Sequence, residues 1–269
     1  MASVGVVTGA GRGMGLACAR RIAGTVDVLL LVDLDRDTAA AAAAGLPGAE
    51  PFVLDVTDPD GLARLAARVS GHGTLRAVAH AAGISPTMAD WRRILTVDLV
   101  GTALLAEALR PLATTGTAMV CFASMAPLLA NVQPDAEAAA LLDAPLDPRF
   151  LDRLREVLGP AIENTGLAYA WAKHGVQRFV RQEAVRLGAA GARICSVSPG
   201  IIDTPQGRQE AASHASIARF VAQTPLGRTG SPEEVAAVVA FALSTDAGFL
   251  NGVDILIDGG LCAAVAGSR

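Results

Sequence analysis

The chain has 269 residues, of which 52% are hydrophobic and 18% are charged, so it holds enough apolar material for a large core. Its net charge is −4 and it has no run of Lys or Arg, which argues against nucleic acid or a membrane surface as the main partner. The first residues, Met1-Ala-Ser, pass directly into an apolar segment, so we expect no signal peptide and a cytoplasmic protein.

The cysteine and histidine positions favour neither disulfides nor a metal site. The four cysteines form no CxxC pair and are expected to be reduced thiols. The four histidines lack the spacing of metal ligands, so no metal is expected. These residues are Cys18, Cys121, Cys195 and Cys262, and His72, His80, His174 and His214.

Strand-like and helix-like segments alternate along the chain. Apolar runs at 4–8, 26–32, 51–54, 75–80, 118–122, 193–197 and 254–257 predict strands. Helices are predicted at 14–23, 37–44, 58–69, 88–112, from 165 onward, and at 232–243. Continuous apolar runs suit parallel strands that are buried on both faces. The alternation therefore predicts a single α/β domain over residues 1–269, a Rossmann-type doubly wound parallel sheet of about seven strands with helices on both faces.

A glycine-rich turn, Thr8-Gly-Ala-Gly-Arg-Gly-Met-Gly15, joins the first strand to the first helix. Glycines let a phosphate approach the backbone at a helix N-terminus, although Met14 stands where the strict GxGxxG pattern has its last glycine. Asp33 ends the second strand, where an acid can accept both ribose hydroxyls of NAD and repels the 2′-phosphate of NADP. A ligand-free glycine loop and an acid that merely ends a strand remain alternatives at this point.

The segment Tyr169-Ala-Trp-Ala-Lys173 contains the single tyrosine of the chain. Residues four apart lie on one face of a helix, so the phenol and the ammonium point into the same space. A phenol has a pKa of about 10, and a cation nearby lowers it by about 1–3 units. Tyr169 could then exchange a proton with an alcohol or ketone oxygen, although a half-buried ring beside a solvated lysine would give the same pattern.

Several motifs in this order resemble the short-chain dehydrogenase/reductase family. They are Thr8-Gly9-x-x-x-Gly13-x-Gly15, Ser124, Tyr169-x-x-x-Lys173, Ser198-Pro199-Gly200, Thr224-Pro-Leu-Gly-Arg and the ending Asn251-Gly-Val-Asp-Ile-Leu-Ile-Asp-Gly-Gly260. Each motif alone has modest specificity for the family, but together the motifs are highly specific and cover nearly the whole chain. The resemblance implies an NAD(P)-binding fold in which cofactor and catalytic residues share one domain.

The resemblance also implies roles for individual residues. Tyr169 would be the acid/base, and Lys173 would lower the pKa of Tyr169 and bind the nicotinamide ribose. Ser124 would hydrogen-bond the substrate oxygen. Asp98 stands at the fourth catalytic position. Asp55 and Val56 would contact adenine, and Ile202 and Thr204 the carboxamide. The full set implied to bind NAD is Gly9, Arg12, Gly13, Met14, Gly15, Asp33, Asp55, Val56, Ala82, Gly83, Tyr169, Lys173, Pro199, Gly200, Ile202 and Thr204.

Three features depart from the family pattern. His80 replaces an Asn after the fourth strand, and we expect it to be structural. Asp98 replaces the Asn that supports a proton path to the lysine; an ionised carboxylate lacks the amide's donor, so this relay is rewired or Asp98 is protonated. The third departure is an unusually long gap between Ser124 and Tyr169.

That gap, residues 125–164, is predicted to be a helical insertion. One helix is expected to begin with Asp147 as N-cap and Pro148 at N1, and another over 134–142. The stripe of Phe150, Leu151, Leu154 and Leu158 is expected to face the substrate pocket or a neighbouring subunit. We therefore expect a lid or a subunit interface, with a surface decoration as the alternative. Residues 203–224 are expected to form the substrate loop.

The expected activity is NAD-dependent interconversion of a secondary alcohol and a ketone, on an apolar or cyclic substrate of the hydroxysteroid or carbonyl type. An NADP-dependent ketone reductase and a non-catalytic NAD-sensing or scaffold protein are the alternatives. The resemblance further implies a homodimer or homotetramer.

Overall fold

Seven parallel strands form one sheet in the order β3-β2-β1-β4-β5-β6-β7. The computed structural model describes residues 1–213 and 216–267. The strands are β1 (Ala2–Thr8), β2 (Val28–Asp33), β3 (Ala49–Val53), β4 (Gly73–His80), β5 (Ala118–Phe122), β6 (Arg193–Pro199) and β7 (Asp254–Ile257). The predicted doubly wound parallel sheet is confirmed. The strand order reverses between β1 and β4, and such folds bind ligands in the crevice at that point.

Helices cover both faces of the sheet. They are α1 (Gly13–Ile22), α2 (Arg36–Ala44), α3 (Pro59–His72), α4 (Trp91–Leu95), α5 (Gly101–Leu109), α6 (Ala126–Leu129), α7 (Ala136–Leu142), α8 (Phe150–Leu158), α9 (Thr165–Gly188), α10 (Pro205–Ser213), α11 (Ser216–Gln223), α12 (Pro232–Leu243) and α13 (Leu261–Gly267). Successive residues of a strand pack on opposite faces of the sheet. Val6 packs in the core with α3, α5 and α9, whereas Val7 packs with α1 and α12. The sheet is therefore buried on both sides, as its apolar runs predict.

The predicted helix over 88–112 is divided in the structure. It begins at Trp91, because the Asp90 carboxylate accepts the Arg93 N–H and caps the helix. One π-helical turn, Thr96–Val100, separates α4 from α5 and contains Asp98. Such turns often occur at functional sites, and this one carries a predicted catalytic residue.

The segment between β5 and α9 contains three α-helices and a 3-10 helix, Gly159–Glu163, and one α-helix starts later than predicted. Helix α8 begins at Phe150 rather than at Pro148, because the Asp147 carboxylate accepts the Arg149 N–H in a turn that precedes the helix. Helix α7 is capped by Asp135, near its predicted start.

The apolar stripe of α8 faces the protein's own core. Phe150 and Leu154 are buried in the same core cluster as the interior face of α9, and Leu151 and Leu158 pack at its edge. An ion pair between Arg92 and Asp152 joins α8 to α4 at 2.7 Å. The expectation that this stripe faces the substrate pocket is therefore wrong, whereas the expectation of a subunit interface stays a prediction.

In the described parts of the chain, no helix is both long and apolar enough to cross a lipid bilayer. The same residues contain no group of three or more His, Cys, Asp or Glu side chains placed to hold a metal ion.

Candidate active site

The glycine-rich turn after β1 is packed so tightly that it requires its glycines. A Cβ on Gly15 would lie 1.9 Å from the Gly9 carbonyl oxygen. Gly9 has φ +64°, and a Cβ there would lie 2.9 Å from the Ala82 nitrogen. The turn therefore lies against the loop after β4, and both loops border one cleft at the helix α1 N-terminus, which favours a phosphate.

Asp33 is held at the end of β2 by backbone amides. Its Oδ2 accepts the Gly11 N–H at 2.8 Å and its Oδ1 accepts the Asp35 N–H at 3.2 Å. The carboxylate thus has a fixed orientation at the rim of the cleft, beside the glycine-rich turn. This is the position from which an acid can accept ribose hydroxyls.

Asp55, predicted to contact adenine, has a partner that the sequence did not indicate. Its Oδ2 accepts a hydrogen bond from Arg93 at 2.7 Å, and its Oδ1 accepts the Thr57 N–H and hydroxyl. Partial burial raises the pKa of Asp55, but the hydrogen bonds from Thr57 and Arg93 lower it overall. Arg93 comes from the start of α4 and lines the cleft, so a cation lies at the end of the cleft that is predicted to hold adenosine.

Ser124, Tyr169 and Lys173 converge at the carboxyl end of β5. Asn164 caps α9, where its Oδ1 accepts the Leu167 N–H at 3.0 Å, and this fixes the start of the helix that carries Tyr169. The side chains of Ser124 and Tyr169 line the same cavity, and the Ser124 hydroxyl is a polar neighbour that lowers the pKa of the Tyr169 phenol. The Lys173 Nζ lies 5.5 Å from the centre of the Tyr169 ring and donates to the Phe122 carbonyl at 3.0 Å.

The expected lowering of the Tyr169 pKa is not observed. Burial is the largest cause that raises the pKa of this phenol, and the carboxyl groups of Asp98 and Glu210 raise it further when they are ionised. The Ser124 hydroxyl lowers the pKa of Tyr169, but this effect is smaller than the effect of burial. The structure therefore holds Tyr169 as a protonated phenol, which is the form that can donate a proton to a ketone oxygen.

Asp98 is fully buried beneath this site. Its Oδ1 accepts the Ile84 N–H at 2.9 Å and lies 3.8 Å from the Lys173 Nζ, whereas its Oδ2 has no hydrogen-bond partner. Burial raises the pKa of Asp98, and the opposing effects of Lys173 and of the Ile84 N–H are smaller. A protonated Asp98 recovers the donor that an amide would have at this position.

His80 is enclosed by hydrogen bonds within the fold. The Thr102 hydroxyl donates its hydrogen to the Asp98 backbone carbonyl at 2.7 Å. The Thr102 oxygen must therefore accept the hydrogen of His80 Nε2 at 2.9 Å. This leaves His80 Nδ1 without a hydrogen, so it accepts one from the Thr8 hydroxyl at 2.7 Å. Burial, with the charge of Lys173 added, lowers the pKa of His80 to about 3. This neutral imidazole lies between β1 and α5, which agrees with its predicted structural role.

One cavity of about 730 Å³ joins the cofactor loops to the catalytic side chains. Of the predicted site residues, Asp98 and Lys173 lie behind its wall and the others line it. Those that line it are Gly9, Arg12, Gly13, Met14, Gly15, Asp33, Asp55, Val56, Ala82, Gly83, Ser124, Tyr169, Pro199, Gly200, Ile202 and Thr204. A nicotinamide dinucleotide fits a cavity of this size, because the glycine-rich turn leaves room for its phosphates and an acid stands at the end of β2.

A family model described as "Enoyl-(Acyl carrier protein) reductase" matches residues 9–140 and 158–262. A solved structure of a short-chain dehydrogenase/reductase, glucose/ribitol dehydrogenase, from Brucella melitensis superposes with a TM-score of 0.76 at 26% identity, over 96% of each chain. The protein belongs to the short-chain dehydrogenase/reductase family. The stretch that the family model leaves unmatched, residues 141–157, holds nearly all of α8.

Two curated relatives of this short-chain dehydrogenase/reductase align along almost their entire length. Cis-4-hydroxycyclohexanecarboxylate dehydrogenase of Sinomonas cyclohexanicum is 32% identical, over 97% of this chain and 96% of its own. The 3-alpha-hydroxysteroid dehydrogenase/carbonyl reductase of Comamonas testosteroni is 29% identical, over 98% of both chains. The protein therefore belongs among oxidoreductases whose relatives are named for alcohol or carbonyl substrates.

Sequence reasoning did not single out several residues that border the cavity of this family member, although Glu210 lies in the predicted substrate loop and Leu129 in the predicted insertion. Arg93 and Glu210 are the charged ones, and Leu34, Met88 and Leu129 are apolar. No local motif marks them, because they come from a loop and from helices that meet the site only after folding. Their position in segments that follow strand ends was the one available signal.

Proposed function

We propose that this protein is an NAD-dependent dehydrogenase that interconverts a secondary alcohol and a ketone. The observation that carries the proposal is that Ser124 and Tyr169 line the same cavity as the glycine-rich turn and Asp33. Bound NAD would accept or supply the hydride. Proton transfer and the orientation of the substrate oxygen are the tasks left to this chain's side chains.

NAD is favoured over NADP by the charge at the end of β2. The Asp33 carboxylate lines the cavity, and two backbone N–H groups hold it there. It can accept the ribose hydroxyls of NAD, whereas a 2′-phosphate would place a second negative charge against it. Glycines 9, 13 and 15 would hold the pyrophosphate, and Asp55 and Val56 would flank adenine.

Ser124 and Tyr169 would act together on the oxygen of the substrate. Ser124 is 8% exposed and opens onto the cavity, so its hydroxyl can position a carbonyl or alcohol oxygen beside the phenol. The raised pKa of Tyr169 keeps it protonated, so it can donate a proton to the ketone oxygen. In alcohol oxidation the phenol proton would first leave to solvent, and the phenolate would then accept the proton of the alcohol. Lys173, fixed on the Phe122 carbonyl, would hold the nicotinamide ribose.

An apolar or cyclic substrate suits the apolar side chains of the cavity that contains Tyr169. They include the aliphatic, aromatic and thioether side chains of Met88, Leu129, Ile217 and Phe220. Burial of apolar surface against such walls favours binding by about 25 cal/mol for each Å². The cyclohexane and steroid substrates in the names of the two relatives are consistent with this class.

We also propose a cytoplasmic homodimer or homotetramer. Large apolar side chains are exposed on α12 and around the edge strand β7, where Phe249 is fully exposed and Phe241 is 51% exposed. Large apolar patches on a protein surface mark interfaces, so we take these side chains as the contact surface between subunits. Light scattering after size-exclusion chromatography would measure the mass, and a monomer at micromolar concentration would contradict this proposal.

A spectrophotometric screen tests the proposed activity. Purified protein is offered NAD or NADP with steroid, terpene and simple cyclic alcohols, and reduced cofactor is followed by its absorbance. We expect turnover of at least one cyclic secondary alcohol with NAD, at a higher kcat/KM than with NADP. Measurable NAD binding without turnover of any alcohol, or of any ketone in the reverse direction, would favour the non-catalytic alternative.

A further inference from the structure

Arg93 closes a ring of hydrogen bonds at the rim of the cleft. Its Nη2 donates to the Asp55 Oδ2 at 2.7 Å, and its Nη1 donates to the Thr57 hydroxyl oxygen at 3.2 Å. The Thr57 hydroxyl in turn donates to the Asp55 Oδ1 at 2.7 Å, and the Thr57 N–H donates to the same oxygen at 2.9 Å. Helix α4, which carries Arg93, is thereby tied to the segment that follows β3.

This ring contributes little to the stability of the fold. The side chains of Arg93 and Asp55 are 43% and 31% exposed, and ion pairs exposed to this degree are largely screened by water. The neighbouring pair of Arg92 and Asp152 is also exposed and has the same N–O distance of 2.7 Å, but neither of its residues lines the cavity. What distinguishes the Arg93–Asp55 pair is therefore its position on the cavity wall.

The pair lies where the base of a bound dinucleotide would lie. The sheet order β3-β2-β1 places three features side by side: the glycine-rich turn after β1, Asp33 at the end of β2, and Asp55 just beyond β3. Neighbouring strands are about 4.8 Å apart, so the ends of β1 and β3 are separated by about 10 Å. With its pyrophosphate at the turn and a ribose at Asp33, a dinucleotide would extend its base toward Asp55 and Arg93.

Asp55 keeps one acceptor site for a ligand. An ionised carboxylate has about four lone-pair sites, two on each oxygen. Thr57 fills both sites on Oδ1, and Arg93 fills one site on Oδ2. Among the described residues, no other side chain or backbone group donates to Asp55. Although partial burial raises the pKa of Asp55, the hydrogen bonds lower it overall, so near neutral pH the carboxylate can only accept.

We propose that Arg93 is a positioning residue for the base of the dinucleotide, because together with Thr57 it fixes the remaining acceptor site of Asp55 at the cavity wall. This site would select a base that carries an exocyclic amine, such as adenine, over a base with a carbonyl in the same place, such as hypoxanthine. The inference rests on the proposed dehydrogenase function, since it concerns how that site recognises its cofactor. It assigns to Arg93 a role that no motif of the sequence indicated.

Hydrogen-bond chemistry supplies the reason for this selectivity. An amine would donate to the carboxylate in a charge-assisted hydrogen bond, which is stronger than a neutral one. A carbonyl oxygen in that place would bring two acceptors together, and the carboxylate would lose hydration without gaining a partner. Arg93 matters because it holds Oδ2, the oxygen that Thr57 does not contact, and a planar guanidinium that bonds two fixed acceptors has a defined orientation.

Binding of two dinucleotides tests the proposal without requiring turnover. NAD and nicotinamide hypoxanthine dinucleotide, which carry an amine and a carbonyl at C6 of the purine, are titrated into the purified protein by isothermal calorimetry. We expect NAD to bind at least about tenfold more tightly. Equal affinities, tighter binding of the hypoxanthine dinucleotide, or no binding of either would overturn the proposal.

A matched pair of substitutions links the selectivity to Arg93. Arg93→Met removes both hydrogen bonds and keeps an apolar stem, so the ratio of the two dissociation constants should fall to within about threefold. The control Arg92→Met removes the neighbouring arginine, whose partner is Asp152 and which lies outside the cavity, and it should leave the ratio unchanged. Thermal unfolding would verify that both variants are folded. An unchanged ratio in folded Arg93→Met would refute the role of Arg93.

A double-mutant cycle tests whether Arg93 acts through Asp55. Asp55→Ala removes the acceptor site, so this variant should also lose the preference for NAD over the hypoxanthine dinucleotide. Adding Arg93→Met to Asp55→Ala should then change the ratio of dissociation constants by less than about twofold. A larger change would show that Arg93 contacts the base itself, which would contradict a positioning role.

The two proposals fail in different ways. If the base preference depends on Arg93 but no alcohol or ketone is turned over with NAD, the dehydrogenase function fails while the assignment of Arg93 stands. If cyclic alcohols are oxidised with NAD but Arg93→Met keeps the wild-type base preference, the function stands and the inference about Arg93 is wrong.

Discussion

The Oδ1 atom of Asp98 lies 3.8 Å from the ammonium nitrogen of Lys173, in a place where Asp98 is fully buried and Lys173 is 5% exposed. The other carboxylate oxygen, Oδ2, has no hydrogen-bond partner. An ionised carboxylate with an unsatisfied buried oxygen is costly. Ionised Asp98 is therefore attracted to Lys173 through Oδ1, but it loses hydration at Oδ2 without gaining a hydrogen bond. The free energy of unfolding should then depend on pH through the ionisation of Asp98.

Asp98→Asn should stabilise the protein increasingly as the pH rises. Burial raises the folded-state pKa of Asp98, so between its unfolded value of about 3.9 and the higher folded value the folded chain binds more protons. Wild-type stability falls with pH over that window, by about 1.4 kcal/mol for each unit of pKa difference, and the amide removes this loss. Urea unfolding at pH 5 and at pH 8 would give the two free energies of unfolding.

Asp246→Asn is the matched control for that measurement. Asp246 is an exposed aspartate in a single 3-10 turn, so its replacement should change stability equally at both pH values. The prediction is contradicted if the gain in unfolding free energy from Asp98→Asn is the same at pH 5 and pH 8, or is smaller at pH 8. Such a result would show that Asp98 is ionised in the folded protein at no net cost in stability.

Tyr169→Phe should abolish turnover while leaving NAD affinity within about twofold of wild type. The ring keeps its packing at the edge of the core, and only the proton-carrying hydroxyl is lost; general acid–base groups contribute about 10²- to 10⁴-fold to rate. Steady-state kinetics and fluorescence titration with NAD would measure the two quantities. Retention of a tenth of wild-type turnover would show that Tyr169 is not the acid/base.

Asp33→Asn should narrow the preference for NAD over NADP by roughly tenfold, because the charge that repels a 2′-phosphate is removed. Asn is preferable to Ala here, since its carbonyl can still accept the Gly11 N–H. Titration of both cofactors gives the ratio of dissociation constants. Asp35→Asn is the control, because it removes a neighbouring charge outside the cavity and its amide oxygen can still cap α2. This variant should leave the ratio of NAD to NADP dissociation constants unchanged. An equal effect of both variants would show that the discrimination between NAD and NADP does not depend on Asp33.

Leu154→Ala should affect stability, and Leu129→Ala should affect substrate binding. Leu154 is fully buried in the core beside α9, so its loss should cost about 2–5 kcal/mol of unfolding free energy. Leu129 lines the cavity, so its loss should raise the KM for a cyclic alcohol by about three- to tenfold without changing the KM for NAD. Denaturant unfolding and steady-state kinetics of both variants would show the contrast. A raised alcohol KM in folded Leu154→Ala would restore the idea that α8 covers the substrate.

The sequence by itself determined the sheet and most of the site. Buried parallel strands appear as continuous apolar runs, and helices such as α12 carry their own start signal, here Ser231 with its capping partner Glu234. The glycine-rich turn, Asp33, Ser124 and the Tyr169–Lys173 pair were visible because each depends on local geometry: a turn, a strand end or one helical turn. Matching these to a family then ordered them around one cleft.

Only the tertiary structure decided which distant groups meet. Periodicity shows that α8 has an apolar stripe but not which surface covers it, and the stripe proved to face the protein's own core. The pairing of Arg93 with Asp55 and the position of Glu210 in the cavity with Tyr169 join segments far apart in the chain. The raised pKa of Tyr169 has the same origin, since burial and long-range charge depend on the whole fold rather than on the spacing of a motif.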